Sequence, residues 1–102
     1  MYSIKEEAYD DKLGKFIVEE QAFQWNAWRK ASILFAEIIT TLEDNDNVQI
    51  GFASINYNDE TLISFSKHYE QCVWWFNKYE PIRCEQFYDA YTRQKSRNAE
   101  AA

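Results

Sequence analysis

Residues 59–79 read DETLISFSKHYEQCVWWFNKY, and the fold turns on how this stretch is arranged. Leu62, Phe65, Tyr69, Cys72, Phe76 and Tyr79 recur at steps of three and four, the spacing that gathers side chains on one face of an α-helix. Asn58 or Asp59 can cap such a helix, and Glu80 followed by Pro81 ends it, because a residue before proline is disfavoured in the α region. The seam of alternating three- and four-residue steps suits antiparallel packing against a second helix. Trp74 falls nearly opposite that seam, with Ile63 on the same side, so this pair needs a different partner.

Upstream, Phe16 to Leu42 contains no Gly or Pro, and Phe16, Phe23, Ala27, Ala31, Leu34, Ile38 and Leu42 share one side of a helical wheel. The pattern predicts a long helix facing residues 59–79, with Trp25, Val18 and Ile33 on its far side. At 1.5 Å per residue it would be about 40 Å long, so a break is expected near Gln24, Asn26, Arg29 and Lys30. Ser3 and Glu6 form a capping box for a short helix from Ile4 to about Leu13, and Gly14 suits the left-handed position beyond its end.

Glu43 to Asn47 is a polar loop. Val48, Ile50 and Phe52 then alternate with smaller or polar residues, predicting a short extended segment that can fold back so that Ile55 and Tyr57 complete a small hairpin. Pro81 suits the first turn of a last helix to about Lys95, burying Cys84, Phe87, Tyr88 and Tyr91, and Ser96 to Ala102 is expected to fray. The expected fold is mostly α: a single helical domain over residues 1–102, an antiparallel bundle of three or four helices. Residues 1–14 supply its short N-terminal helix, and one extended segment or hairpin lies near residues 48–57.

Composition points the same way. With 2 Gly, 1 Pro and 18% aromatic residues in a chain of 102, turn-formers are scarce and bulky core residues abundant. The net charge of −6 sits in the first half: residues 1–60 carry 12 acidic and 5 basic side chains, residues 61–102 carry 5 and 6. An acidic surface repels nucleic acid and anionic membranes and favours a basic protein partner. No apolar run approaches the roughly 18 residues a membrane helix needs, and the first residues are too polar for a signal peptide, so a cytoplasmic location is expected. Two cysteines are too few for a disulfide framework, and about 7 Å of axial offset separates Cys72 from Cys84 in the helical reading, so free thiols are expected.

Four constellations bear on chemistry. Ser64, His68 and Cys72 lie four apart, but a nucleophile also needs an oxyanion site and an orienting third group. Counting from Asp44, a calcium loop would need a ligand at Val48, Gly at Gln49 and Glu at Ile55, so the match fails, and one His with two separated Cys does not make a zinc site. Arg83, Tyr88, Tyr91, Arg93, Lys95 and Arg97 are too few to hold nucleic acid against an acidic remainder. No catalysis, metal or cofactor is expected.

The expected function is binding of another protein, through off-face aromatics and the acidic loop: Trp74, Ile63, Trp25, Glu43, Asp44 and Asp46. Such a protein would inhibit or modulate its partner. Small acidic inhibitors and immunity proteins of phages and mobile elements share this general build, an analogy of class that would put the partner among nucleic-acid-processing enzymes. The alternative is a small structural subunit or homo-oligomer with its aromatics in a permanent interface, and composition does not decide between monomer and dimer.

Overall fold

The computed structural model describes residues 1–101 and replaces the helical bundle with a sheet and two helices. In chain order the elements are β1 (Tyr2–Asp10), β2 (Lys15–Phe23), a 3-10 turn (Trp25–Ala27), α1 (Trp28–Asp44), β3 (Ile50–Tyr57), β4 (Glu60–His68), β5 (Gln71–Phe76) and α2 (Pro81–Ala101). The strands form one antiparallel sheet in the order β2-β1-β3-β4-β5. Both helices pack on the same face, so a single core is shared by the two layers.

Residues 59–79 are therefore a β-hairpin and not the organising helix. Strand side chains alternate between faces, and here Ile63, Phe65 and Lys67 of β4 oppose Phe76, Trp74 and Cys72 of β5 on the helix side. Thr61, Ile63, Phe65, Val73, Trp74, Trp75 and Phe76 are the β-branched and aromatic types that fit a pleated surface, while Ser64 and Ser66 face solvent between them. A register shift between Ile55 and Asn56 buries Leu62 together with Ile63, two neighbours that a regular strand would separate.

The other long-helix expectations fail for the same reason. Residues 4–13 form β1 and its turn, and residues 16–42 divide into β2 and α1. That division falls at Gln24 to Ala27, inside the polar run where a break is expected. Residues 50–57 are extended, and α2 starts at Pro81 but continues past Lys95 to Ala101, where a frayed tail is expected; Ala102 lies outside the described residues.

The core is centred on Phe35 and Ile39 of α1, Phe87 of α2, and Ile55, Ile63 and Phe65 of the sheet, all fully buried. Gly51 lets the end of α1 approach β3: a Cβ there would lie 2.9 Å from Leu42 Cδ2 and 3.4 Å from Val48 Cγ1. Lys67 is 7% exposed, and its Nζ donates to the Leu42 and Asn45 carbonyls at 2.7 and 3.1 Å, closing the C-terminal end of α1. Asn77 fastens the passage from β5 to α2, its backbone N–H donating to Leu62 O at 2.8 Å and its side chain to Glu60 Oε1 at 3.0 Å.

The turns explain which breaks were legible. Asp10 Oδ1 accepts from the Lys12 and Leu13 N–H groups, and Gly14 takes φ +66°. Gly14 does fill a left-handed position, but in a hairpin turn. Between β4 and β5 the left-handed position falls on Tyr69, φ 57°, where a bulky L-residue is strained. Tyr69→Gly is expected to stabilise the fold by about 0.5 to 1 kcal/mol, the left-handed cost exceeding glycine's entropy cost. Urea denaturation would detect this, and a destabilised variant would show that the Tyr69 ring, packed at 4.8 Å on His68, outweighs the strain.

Candidate functional site

The residues singled out for partner binding do not converge. Trp74 faces the helices, with ring centroids 4.9 Å from Tyr88, 5.0 Å from Tyr91 and 5.3 Å from Phe65. Ile63 is fully buried in the middle of the core. Trp25 is half-buried at the start of the helical layer, 5.1 Å from Tyr2 and 5.8 Å from Trp28, with the Arg83 guanidinium 4.9 Å from its ring centre. Glu43, Asp44 and Asp46 lie at the opposite end of α1, about 25 Å away by helix length. Asp44 and Asp46 are exposed, whereas Glu43 pairs with Lys95 at 3.4 Å. Lys95 Nζ reaches Glu43 Oε2 at 3.4 Å and the Tyr91 hydroxyl at 3.2 Å, linking the two helices at the surface, and burial first, then Glu43, push the pKa of Tyr91 up to about 12.

Nor does the sheet assemble the Ser64, His68 and Cys72 constellation. Cys72 shares the helix-side face with Lys67, while Ser64 and His68 lie on the other. Both cysteines are free, as the sequence predicts. Cys84 is buried, its Sγ donates to Leu62 O at 3.0 Å, and burial raises its pKa, which leaves the thiol unreactive. Among the described residues no cluster of His, Cys, Asp or Glu is arranged to hold a metal ion, and no helix is long and apolar enough to cross a membrane.

What the structure does assemble is an uncovered sheet face. Register places Val18, Glu7, Phe52, Ser66 and Val73 in one cross-strand row, and Glu20, Lys5, Ser54, Ser64 and Trp75 in the next. Trp75 is 50% exposed, Val73 62%, Val18 53% and Phe16 45%. At the β1–β2 end Phe16 lies 5.3 Å from Tyr9 and 6.3 Å from Phe52, forming an aromatic patch. A serine-rich stripe separates that patch from Trp75. An antiparallel sheet commonly leaves one face to water, but such a face is normally polar. This one is not.

The margin of the sheet is open as well. α1 lies over β1, β3 and β4, so β2 projects beyond the helical layer and Phe16, Ile17 and Val18 are all exposed, though adjacent residues point to opposite faces. Between β2 and α1 runs a groove of about 360 Å³, walled by Leu34 and Ile38 and floored by Ile4, Glu6, Glu19 and Gln21. Glu6 and Glu19 are direct cross-strand partners, an unfavourable like-charge pair. Burial first, and the Glu19 charge second, raise the Glu6 pKa above the usual carboxylate value.

That shift has a definite sign. A raised folded-state pKa means that the native protein holds the proton more tightly than the unfolded chain, so this site's contribution to stability falls as pH rises through the folded pKa. Glu6→Gln is expected to raise Tm at pH 7, and the gain should vanish below the ordinary carboxylate range, where Glu6 is protonated in both states. Calorimetry at several pH values checks this, and a gain independent of pH would assign the effect to packing.

Trp75, Phe16, Ile17, Val18 and Phe52, all on the open surface of the sheet or its β2 margin, are not among the residues that a helical reading singles out for partner binding. A period of two applied to Val73-Trp74-Trp75-Phe76 would have sent the two tryptophans to opposite faces, and Phe16-Ile17-Val18 is a strand-favouring run. The chain matches no protein-family model, no curated protein and no solved structure.

Proposed function

We propose that this protein binds another protein, without chemistry of its own, through the uncovered face of the sheet and its β2 margin. The supporting observation is the set of exposed apolar side chains on that surface, Phe16, Val18, Phe52, Val73 and Trp75, arranged in two patches around a polar stripe. Apolar patches rimmed by polar residues mark interaction sites, and aromatic residues supply most interface anchors. Binding over this surface would inhibit or modulate the partner by occupying its own contact surface.

The test is comparative capture from a lysate of the native host, using wild-type protein, Phe16→Ser and Trp75→Ser as baits, each shown to be folded by circular dichroism. A species held by the wild type and lost from both variants is the expected result. Equal retention by all three would defeat this reading. Light scattering on the purified protein decides against the alternative of a permanent homo-oligomer: monomer mass supports binding to a different protein, and a concentration-independent dimer that Trp75→Ser dissociates would replace it.

A further inference from the structure

Among the described residues, the edge strand β2 is paired along its whole length on one side and on the other not at all. Its nine residues match β1 from Tyr2↔Phe23 to Asp10↔Lys15 without a bulge, and among the described residues β1 is its only neighbour in the sheet. Proteins blunt exposed edges with prolines, bulges, very short strands or charges; β2 is long, unbulged and free of proline, and its protection rests on Lys15, Glu20 and the inward-pointing Glu19, which admit a strand of complementary charge and disfavour others. Every second residue therefore directs an N–H and a C=O outward, in a straight row about 30 Å long. The other edge strand, β5, is shorter at six residues.

The chemistry beside the edge is specific. On the helix side, Glu19 and Gln21 of β2 face the open groove, with Leu34 and Ile38 as the far wall. Glu6 and Glu19 oppose each other there, and neither forms an ion pair among the described residues; the nearby Lys5 pairs with Glu7, at 3.3 Å, on the opposite face. A two-carboxylate floor with apolar walls, opening along a free strand edge, is complementary to an extended segment with apolar and cationic side chains.

We propose that β2 is an acceptor edge for an extended segment of a basic protein partner, which adds to the sheet as a sixth strand and sets a lysine or arginine against Glu6 and Glu19. This rests on the protein-binding reading above and specifies the partner's chemistry. Main-chain hydrogen bonds to β2 provide affinity, while alternate side chains meeting Leu34, Ile38 and the carboxylates provide selection.

A second copy of the chain is the disfavoured occupant. Antiparallel self-pairing of β2 over its full length would centre on Glu19, placing it against Glu19 of the other copy beside both Glu6 side chains. Lys15 would fall opposite Phe23 and Val18 opposite Glu20, so no ion pair compensates. Four carboxylates in one cross-strand row oppose that dimer.

The test uses three nine-residue peptides: alternating Lys-Val, alternating Glu-Val, and the Lys-Val peptide N-methylated at every residue. Amide hydrogen exchange, read by NMR on the full chain, reports where each one binds. The Lys-Val peptide is expected to slow exchange at alternate amides within residues 15–23, the Glu-Val peptide is not, and N-methylation should remove the effect because it eliminates main-chain donors while keeping the charge. The double variant Glu6→Gln/Glu19→Gln should weaken the Lys-Val peptide about tenfold or more.

Protection away from β2, equal binding by the N-methylated peptide, or no binding by any peptide would overturn the proposal. So would a doubled mass with β2 amides already protected in the free protein, which would make the second copy the occupant. Each of these leaves the Phe16→Ser and Trp75→Ser capture result standing, so failure of the edge proposal is separable from failure of the broader reading.

Discussion

Trp74→Ala is expected to lower the unfolding free energy by about 3 kcal/mol, whereas Trp75→Ala should cost less than about 1 kcal/mol, although the two residues are adjacent and chemically identical. Trp74 lies under the helices between Phe65, Tyr88 and Tyr91, and its ring also meets Phe35 at 6.2 Å and stacks on Phe76 at 6.0 Å. Truncation removes a large apolar area and the edge-to-face contacts, and leaves a cavity between two layers that cannot close without shifting α2. Trp75 points into solvent, with half its surface exposed, so its loss removes little from the core. Guanidinium denaturation followed by circular dichroism measures both. Equal costs would mean that the two faces of β5 have been exchanged, and the binding surface with them.

The second large effect is expected at Lys67, where replacement by Met should cost about 3 kcal/mol. Methionine keeps the length and apolar character of the stem but has no donor. The last carbonyls of a helix have no partner inside it and carry the negative end of its dipole, and at the C-terminus of α1 the Lys67 ammonium answers them. Without it, the Leu42 carbonyl is left buried and unpaired, and the last turn of α1 should fray. Denaturation measures the total, and exchange of the amides near residues 42–45 locates it. A cost below about 1 kcal/mol would mean that water enters and replaces the ammonium.

Lys67 also bears on why the sheet was hard to read in the sequence. A half-buried strand announces itself by strict alternation, and both misread stretches carry a charged residue at an inward position: Lys67 in β4 and Glu6 in β1. With those positions counted as polar, alternation breaks and the three-and-four spacing of Leu62, Phe65, Tyr69, Cys72 and Phe76 takes over, though it mixes residues from both faces of two strands. The turn between those strands gave no warning, because its left-handed position is held by Tyr69 and not by Gly or Asn. Where the punctuation is ordinary the chain was readable. The polar run after Gln24 does separate two elements, Val48 to Tyr57 is extended apart from its first two residues, and Pro81 does open a helix.

The residues that look unaccommodated depend on the period assumed for 59–79. On a helical wheel Trp74 is the aromatic left over, and on a pleated strand its neighbour Trp75 is. Trp75, the one that a period of two singles out, is half exposed. Glu6 and Glu19, distant in sequence, are brought together only by strand pairing, which a helical reading of residues 4–13 does not reveal.

Strand order also dictates how the chain must assemble. The sheet consists of two pieces that each form from neighbouring residues, the β1–β2 hairpin and the β3–β4–β5 meander, and the ladder joining them runs between β1 and β3 at the centre. That ladder pairs Tyr2 with Tyr57 and Ala8 with Gly51, so it cannot close until α1 has been looped between the pieces and its entropy cost met. Closure of this central seam is the slow step that topology predicts, and substitutions along Ile4 and Ile55 should retard folding where equally disruptive ones in the outer hairpins mainly hasten unfolding. Until the seam closes, the apolar inward faces of both pieces are open to other chains, and the molecule is most vulnerable to aggregation at the point that later becomes its most protected.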